Sequence, residues 1–156
     1  MPKRFHWLLA ALVTMALSTA SYTAMADPKS EITYRRATER ALGGHMSALN
    51  TILRGRVKRG KGSVVVHARA IGNIGKLYHT LYPKGSGQGR TRAKPLIWSK
   101  PNEFKKAIAA FKRASAKLAS VAGNGDLKTT KAAYKAVGKT CGVCHKLFRQ
   151  PRRRKK

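Results

Sequence analysis

The two cysteines of this 156-residue chain both stand near its end, in "GKTCGVCHKLFRQPRRRKK". Cys141 and Cys144 are three apart, and His145 follows at once. Four chemistries use such a pattern. A disulfide is geometrically open to the pair in an oxidising compartment. A thioredoxin-like dithiol needs a βαβ context, which the flanking sequence does not offer. A zinc site needs a fourth ligand and usually a second Cys or His pair at matching spacing. Covalent haem uses every element: each thiol adds to one vinyl group, two intervening residues match the vinyl separation, and the adjacent histidine reaches the iron. Cys-x-x-Cys-His is the c-type attachment signature. It implies one haem c per chain, held by Cys141 and Cys144, with His145 as an iron ligand.

The element that must position these groups is helical. Tyr134, Val137, Cys141, Cys144, His145 and Phe148 recur every three or four residues, so they share the apolar face of one helix. This places both thiols and the imidazole towards a bundle interior. Asp126 is the expected N-cap of that helix, which should end near Phe148, before Pro151. Three more helices are expected. One runs from about Glu31 to Leu53, with Gly43 and Gly44 inside it marking either a bend or a close packing contact. A second spans Val64 to Leu81, although its Val64-Val65-Val66 start also suits a strand. A third follows Ser99 as cap and Pro101 in the first turn, with Phe104, Ile108, Phe111, Leu118 and Val121 on one face. The fold class is therefore all-α, an antiparallel four-helix bundle.

The first residues concern destination. Lys3 and Arg4 precede an apolar run from Trp7 to Leu17, and small residues end in Ala24-Met25-Ala26. That is the layout of a signal peptide cleaved after Ala26, so residues 1–26 are read as a leader and 27–150 as the bundle. The apolar run is too short to span the roughly 30 Å of a bilayer's hydrocarbon. Export in turn predicts a periplasmic location. The chain has 34 Lys and Arg against 5 Asp and Glu, a net charge of +29. The leader carries two cations and no acid, so +27 remains after cleavage. Such a field attracts anions. In an exported protein it points to an acidic redox protein or an anionic membrane surface rather than nucleic acid. Residues 151–156 form a basic tail, either a solubilising end or a docking element. The positive field also favours the ferrous charge state.

On these residues the chain resembles the cytochrome c′ family of class II c-type cytochromes. "EITYRRATERALGGHM" is similar to the family's first helix, "IWSKPNEF" to its third-helix entry, and "CGVCHKLFR" to its attachment segment. The resemblance implies thioethers at Cys141 and Cys144, His145 as proximal iron ligand, Arg149 beside the proximal face, and Arg35 and Arg36 paired with a haem propionate. Tyr34 is expected in the core or at the haem edge, and Trp98 at a loop–helix junction.

The resemblance also implies a first-helix residue opposite His145, apolar in members with an open site and Met in members with a closed one. Counting from the Tyr-Arg pair, that position here is Glu39. Glu39 can ligate ferric iron, hydrogen-bond a small ligand, or turn away towards Arg35 four residues earlier. A rotation at Gly43-Gly44 would instead bring His45 or Met46 to the iron. His67 and His79 are read as surface or packing residues. The leading functional expectation is a periplasmic electron carrier cycling between Fe(III) and Fe(II), without substrate turnover. The alternative is binding of nitric oxide or carbon monoxide at an open distal site. Peroxide cleavage would need a second distal acid or base, and none is evident. Family members are often dimers through their first two helices, while the cations of "RGRVKRGK" oppose that approach, so monomer and homodimer both stand.

Overall fold

The computed structural model describes residues 27–151; the expected leader and all but the first residue of the basic tail lie outside them. Four long helices form the body: α1 (Pro28–Leu53), α2 (Lys61–Leu77), α4 (Pro101–Gly123) and α5 (Leu127–Phe148). A short helical turn, α3 (Leu96–Ser99), precedes α4, and a 3-10 turn (Tyr78–Thr80) extends α2. In sequence order each long helix packs on the next, α1 on α2, α2 on α4, and α4 on α5. The antiparallel bundle is as expected, and α2 is helical from the outset, so its valines build no strand.

Aspartates set the starts of the first and last helices. Asp27 accepts from the backbone amides of Lys29 and Ser30, and Asp126 from those of Lys128 and Thr129. Each carboxyl is held below its ordinary range by these hydrogen bonds, the hydroxyls of Ser30 and Thr129 being the largest contributors. Asp126 is thus the cap expected for α5. Ser99 does not cap α4: it ends α3, and Lys100 takes the cap position without a side-chain hydrogen bond. Pro101 still opens α4, where its missing N–H costs nothing. Gly125, at φ 80°, makes the turn from α4 to α5 in a conformation that favours glycine.

The periodic positions of α4 fill the core as expected: Phe104, Ile108, Phe111, Leu118 and Val121 are all buried. Two apolar clusters result. One, around Leu49, Ile71, Phe111, Leu118 and Val137, fills the centre; the other gathers Ile97, Phe104, Ile108 and Phe148. Gly72 and Gly75 let α2 approach α4 closely, since a Cβ at either would press on Ala119 or Ser115. Gly43 and Gly44 have a different role from the one expected. Helix α1 runs through them unbroken, and a Cβ at either would meet nothing within 4 Å. Tyr34 is not a core residue; it is 53% exposed.

Candidate functional site

A cavity of about 1190 Å³ opens between α1, α4, α5 and the loop after α2. Its walls join the two apolar clusters, with Leu42, Met46, Phe104, Ile108, Phe111 and Phe148 among the lining side chains. Helix α5 contributes Cys141, Cys144 and His145, which the 3.6-residue repeat stacks along one side. Both cysteines are half-buried free thiols. Burial raises the Cys141 thiol, and raises Cys144 to about 11, with Cys141 and Glu39 adding to the effect. The two are not joined by a disulfide in this structure. Among the described residues no group of three or more His, Cys, Asp or Glu side chains is placed to hold a metal ion.

His145 lies at the cavity but is exposed, not directed into the bundle interior as its helix face suggested. Its position in the last turn of α5 puts it where the helix leaves the packed body. Partial desolvation lowers its pKa, and the Arg149 guanidinium adds to this. Arg149 Nη1 stands 3.3 Å from His145 Nε2 and 3.5 Å from Nδ1. The backbone beyond α5 is anchored by the Ala93–Arg149 bridge and by Gln150 N–H donating to the Arg92 carbonyl at 2.8 Å.

Arg35 and Arg36 both line the cavity. Arg36 is exposed. Arg35 is only 2% exposed, and its guanidinium serves the loop after α2. Nη1 donates to the Leu81 carbonyl at 3.2 Å and Ser86 Oγ at 2.8 Å; Nη2 donates to the Ser86 carbonyl at 2.9 Å and Thr91 Oγ1 at 3.0 Å. The guanidinium carbon also lies 4.8 Å from the Tyr82 ring centroid. A propionate at this wall would therefore meet an Arg35 whose two terminal nitrogens already serve the loop. Arg40, Arg90 and Arg92 also line the cavity.

Glu39 faces the cavity, and it does not turn to Arg35. Its Oε1 accepts from the Tyr82 hydroxyl at 2.5 Å and the Tyr78 hydroxyl at 3.4 Å. Tyr82 is anchored from behind: the Trp98 indole N–H donates to the carbonyls of Tyr82 and Pro83. This is the loop–helix junction role expected of Trp98. Burial pushes both phenols above their ordinary range, and the Glu39 charge adds to it. Sequence reasoning missed both tyrosines. Their four-residue separation placed them on one side of a turn, but nothing local ties that turn to Glu39. Met46 lines the cavity, whereas His45 points to α2, its Nδ1 3.0 Å from Nδ1 of His67. His45 is thus removed from the residues that could reach the iron. His79 is exposed and caps the end of α2 through the Lys76 carbonyl.

The walls suit a haem. The cavity is large and mostly apolar, the two thiols are one turn apart on its side with the imidazole beside them, and Gly43 and Gly138 leave space where other residues would put side chains. Bundle and site together define a c-type haem protein. Comparisons with known proteins give the family. The cytochrome c′ family model matches residues 30–149. Cytochrome c′ of Pararhodospirillum photometricum is 35% identical over 126 residues, 80% of this chain and 100% of that protein. Cytochrome c′ of Rhodospirillum rubrum is 33% identical over 143 residues, 91% of this chain and 95% of that one. Among solved structures, cytochrome c′ from Rubrivivax gelatinosus superposes with a TM-score of 0.76 at 27% identity, covering 80% of this chain and 98% of that chain. A nitric oxide complex of a cytochrome c prime variant from Alcaligenes xylosoxidans gives 0.75 at 25% identity, with 81% and 98% covered. The chain belongs to the cytochrome c′ family, and its cofactor is accordingly covalently attached haem c with its iron.

Proposed function

We propose that this chain is an exported, periplasmic electron-transfer protein, with Cys141 and Cys144 as the thioether positions, His145 as proximal ligand and Glu39 on the opposite, distal wall. When bound, the haem supplies a one-electron ferric/ferrous couple. The chain's own residues exclude water with the apolar wall, orient His145 beside Arg149, and set the field around the cavity.

The observation that carries this reading is the cationic lining at the surface side of the cavity. Arg36, Arg40 and Arg90 are exposed there, around an otherwise apolar wall. Cations beside a redox group steer an acidic redox protein to the place where the transfer distance is short. Arg36 is also the arginine best placed to meet a propionate, by a charge-assisted hydrogen bond, with Arg35 holding the loop behind it. In this reading Glu39 has a structural part, its carboxylate accepting from two phenols. Among the described residues no helix is long and apolar enough to cross a membrane.

The test is intact mass and voltammetry on exported holoprotein. One haem per chain and reversible one-electron behaviour are expected, with electron exchange to an anionic reagent slowing as salt rises. Exchange insensitive to salt, or fast peroxide turnover with a donor dye, would overturn the carrier reading. A second reading, capture of a small gaseous ligand, is favoured by solved relatives with nitric oxide or carbon monoxide bound. It predicts high-spin iron that takes nitric oxide readily.

A further inference from the structure

The chain has five carboxylates. Asp27 and Asp126 cap helices, Glu103 pairs with Lys100, and Glu31 lies in the first turn of α1, where negative charge complements the helix end. Glu39 is the exception. In a chain with 34 cations it has no ion pair among the described residues; two phenols hold it in the cavity wall instead.

The hydrogen-bond inventory of that wall is one-sided. The Tyr82 and Tyr78 hydroxyls lie 2.5 Å and 3.4 Å from Glu39 Oε1 and also interact with each other, so both of their hydrogens are taken up within this group of three. Two hydrogens serve two phenol oxygens and a carboxylate, so the group keeps a surplus of lone pairs, and no hydrogen bond reaches Glu39 Oε2. Burial keeps both phenols protonated well above neutral pH, so this polarity does not reverse there. The arrangement is fixed by its surroundings. Arg35 lies against the Tyr82 ring, Trp98 holds the Tyr82 carbonyl, and the Tyr78 ring packs edge-on to Phe111 with centroids 5.1 Å apart. Glu39, Tyr78 and Tyr82 line the same cavity as Cys144 and His145.

We infer that Glu39, Tyr78 and Tyr82 form a selective binding site for small ligands that bring their own N–H or O–H hydrogens, such as water or ammonia, and that it disfavours ligands that bring none. The inference rests on the haem c reading, with Glu39 on the wall opposite His145. A hydrogen-bearing ligand satisfies acceptors that are otherwise unpaired; a ligand offering only lone pairs meets like partial charge and leaves them so.

The probes are fluoride and ammonia, titrated separately into ferric holoprotein by absorption spectroscopy, with intact mass measured on every sample. Glu39→Leu is expected to tighten fluoride about tenfold and weaken ammonia about tenfold, because an acceptor–ligand hydrogen bond is of the order of 1–1.5 kcal/mol and tenfold is 1.4 kcal/mol. Glu39→Gln, which nearly preserves shape and adds an N–H donor, is expected to tighten fluoride further than Glu39→Leu. It keeps the test valid if the leucine variant folds poorly. Affinities that do not change, or that move in the same direction for both probes, would overturn the selectivity and leave a merely steric wall. Protein without one haem per chain would overturn the haem reading itself, which separates the two failures.

Discussion

Arg35 is a buried cation without a carboxylate partner among the described residues, and its replacement by methionine is the most informative perturbation of the fold around the cavity. Four hydrogen bonds from a charged donor are worth about 1.5–3 kcal/mol each, and the ring contact adds about 0.5–2 kcal/mol. Keeping a charge out of water offsets several kcal/mol of that sum. The substitution also leaves two carbonyls and the Ser86 hydroxyl short of a donor. A net loss of about 3–5 kcal/mol follows, the scale found when one partner of a buried charged contact is removed. Against a typical total of about 5–15 kcal/mol this is a large share. Urea unfolding of holoprotein, followed by far-ultraviolet circular dichroism and by haem absorption, measures it. Arg35→Lys keeps the charge but not the two-armed geometry and should recover only part of the loss. The haem spectrum should also shift, because Tyr82 loses the group against its ring and Glu39 its held partner. A loss under about 1 kcal/mol for Arg35→Met would refute the assignment of Arg35 as the anchor of the loop, since that is less than one typical charged hydrogen bond.

Other outcomes follow from the same contacts. Tyr78 and Tyr82 hold their protons in the fold above the ordinary value of 10.0; the unfolded chain releases them there, so stability should fall as pH rises past about 10. Tyr82→Phe should flatten that decline in alkaline urea titrations. Gly44→Ala should stabilise by about 0.5–1 kcal/mol, since α1 is unbroken there and the added Cβ meets nothing within 4 Å. Gly72→Ala should instead destabilise by about 1–2 kcal/mol in the same melts, overpacking of about 1–3 kcal/mol outweighing the helix gain. Cys144→Ala should leave haem held through Cys141 alone, seen as a red-shifted pyridine haemochrome absorption. Asp126→Ala should lower the melting temperature at neutral pH. Because the folded Asp126 pKa is depressed, that difference should be present above about pH 4 and vanish as pH falls through the folded value.

The contrast between what was legible along the chain and what was not falls on particular residues. Much of helix α5 could be read: its cap at Asp126, its span to Phe148 and the Cys-x-x-Cys-His pattern are local, each set by neighbours within four residues, whereas the exposure of His145 was not. The stripe of α4 was equally legible. Boundaries that depend on a tertiary neighbour were not. Ser99 has the chemistry of a cap, yet Leu96–Ser99 folds into its own turn and leaves Lys100 at the cap position. Tyr34 has the composition of a core residue and sits on the solvent side of α1. His45 is a good ligand by type, but α2 brings His67 to it. The partner of Glu39 is the sharpest case. Helical spacing favours Arg35, four residues away, whereas the fold sends Arg35 into the loop and delivers two tyrosines from the end of α2.

By itself the amino-acid order determined the helical bundle, the Cys-x-x-Cys-His pattern at Cys141, Cys144 and His145, and the charge that any partner must meet, because periodicity, motif spacing and composition act over a turn of helix or over the whole chain. Only the tertiary structure decided what lines the opposite wall. The hydrogen bonds of Glu39 and Arg35 join residues 39 to 56 positions apart. Such contacts depend on how α1 and the loop after α2 are laid against each other, which no local pattern records.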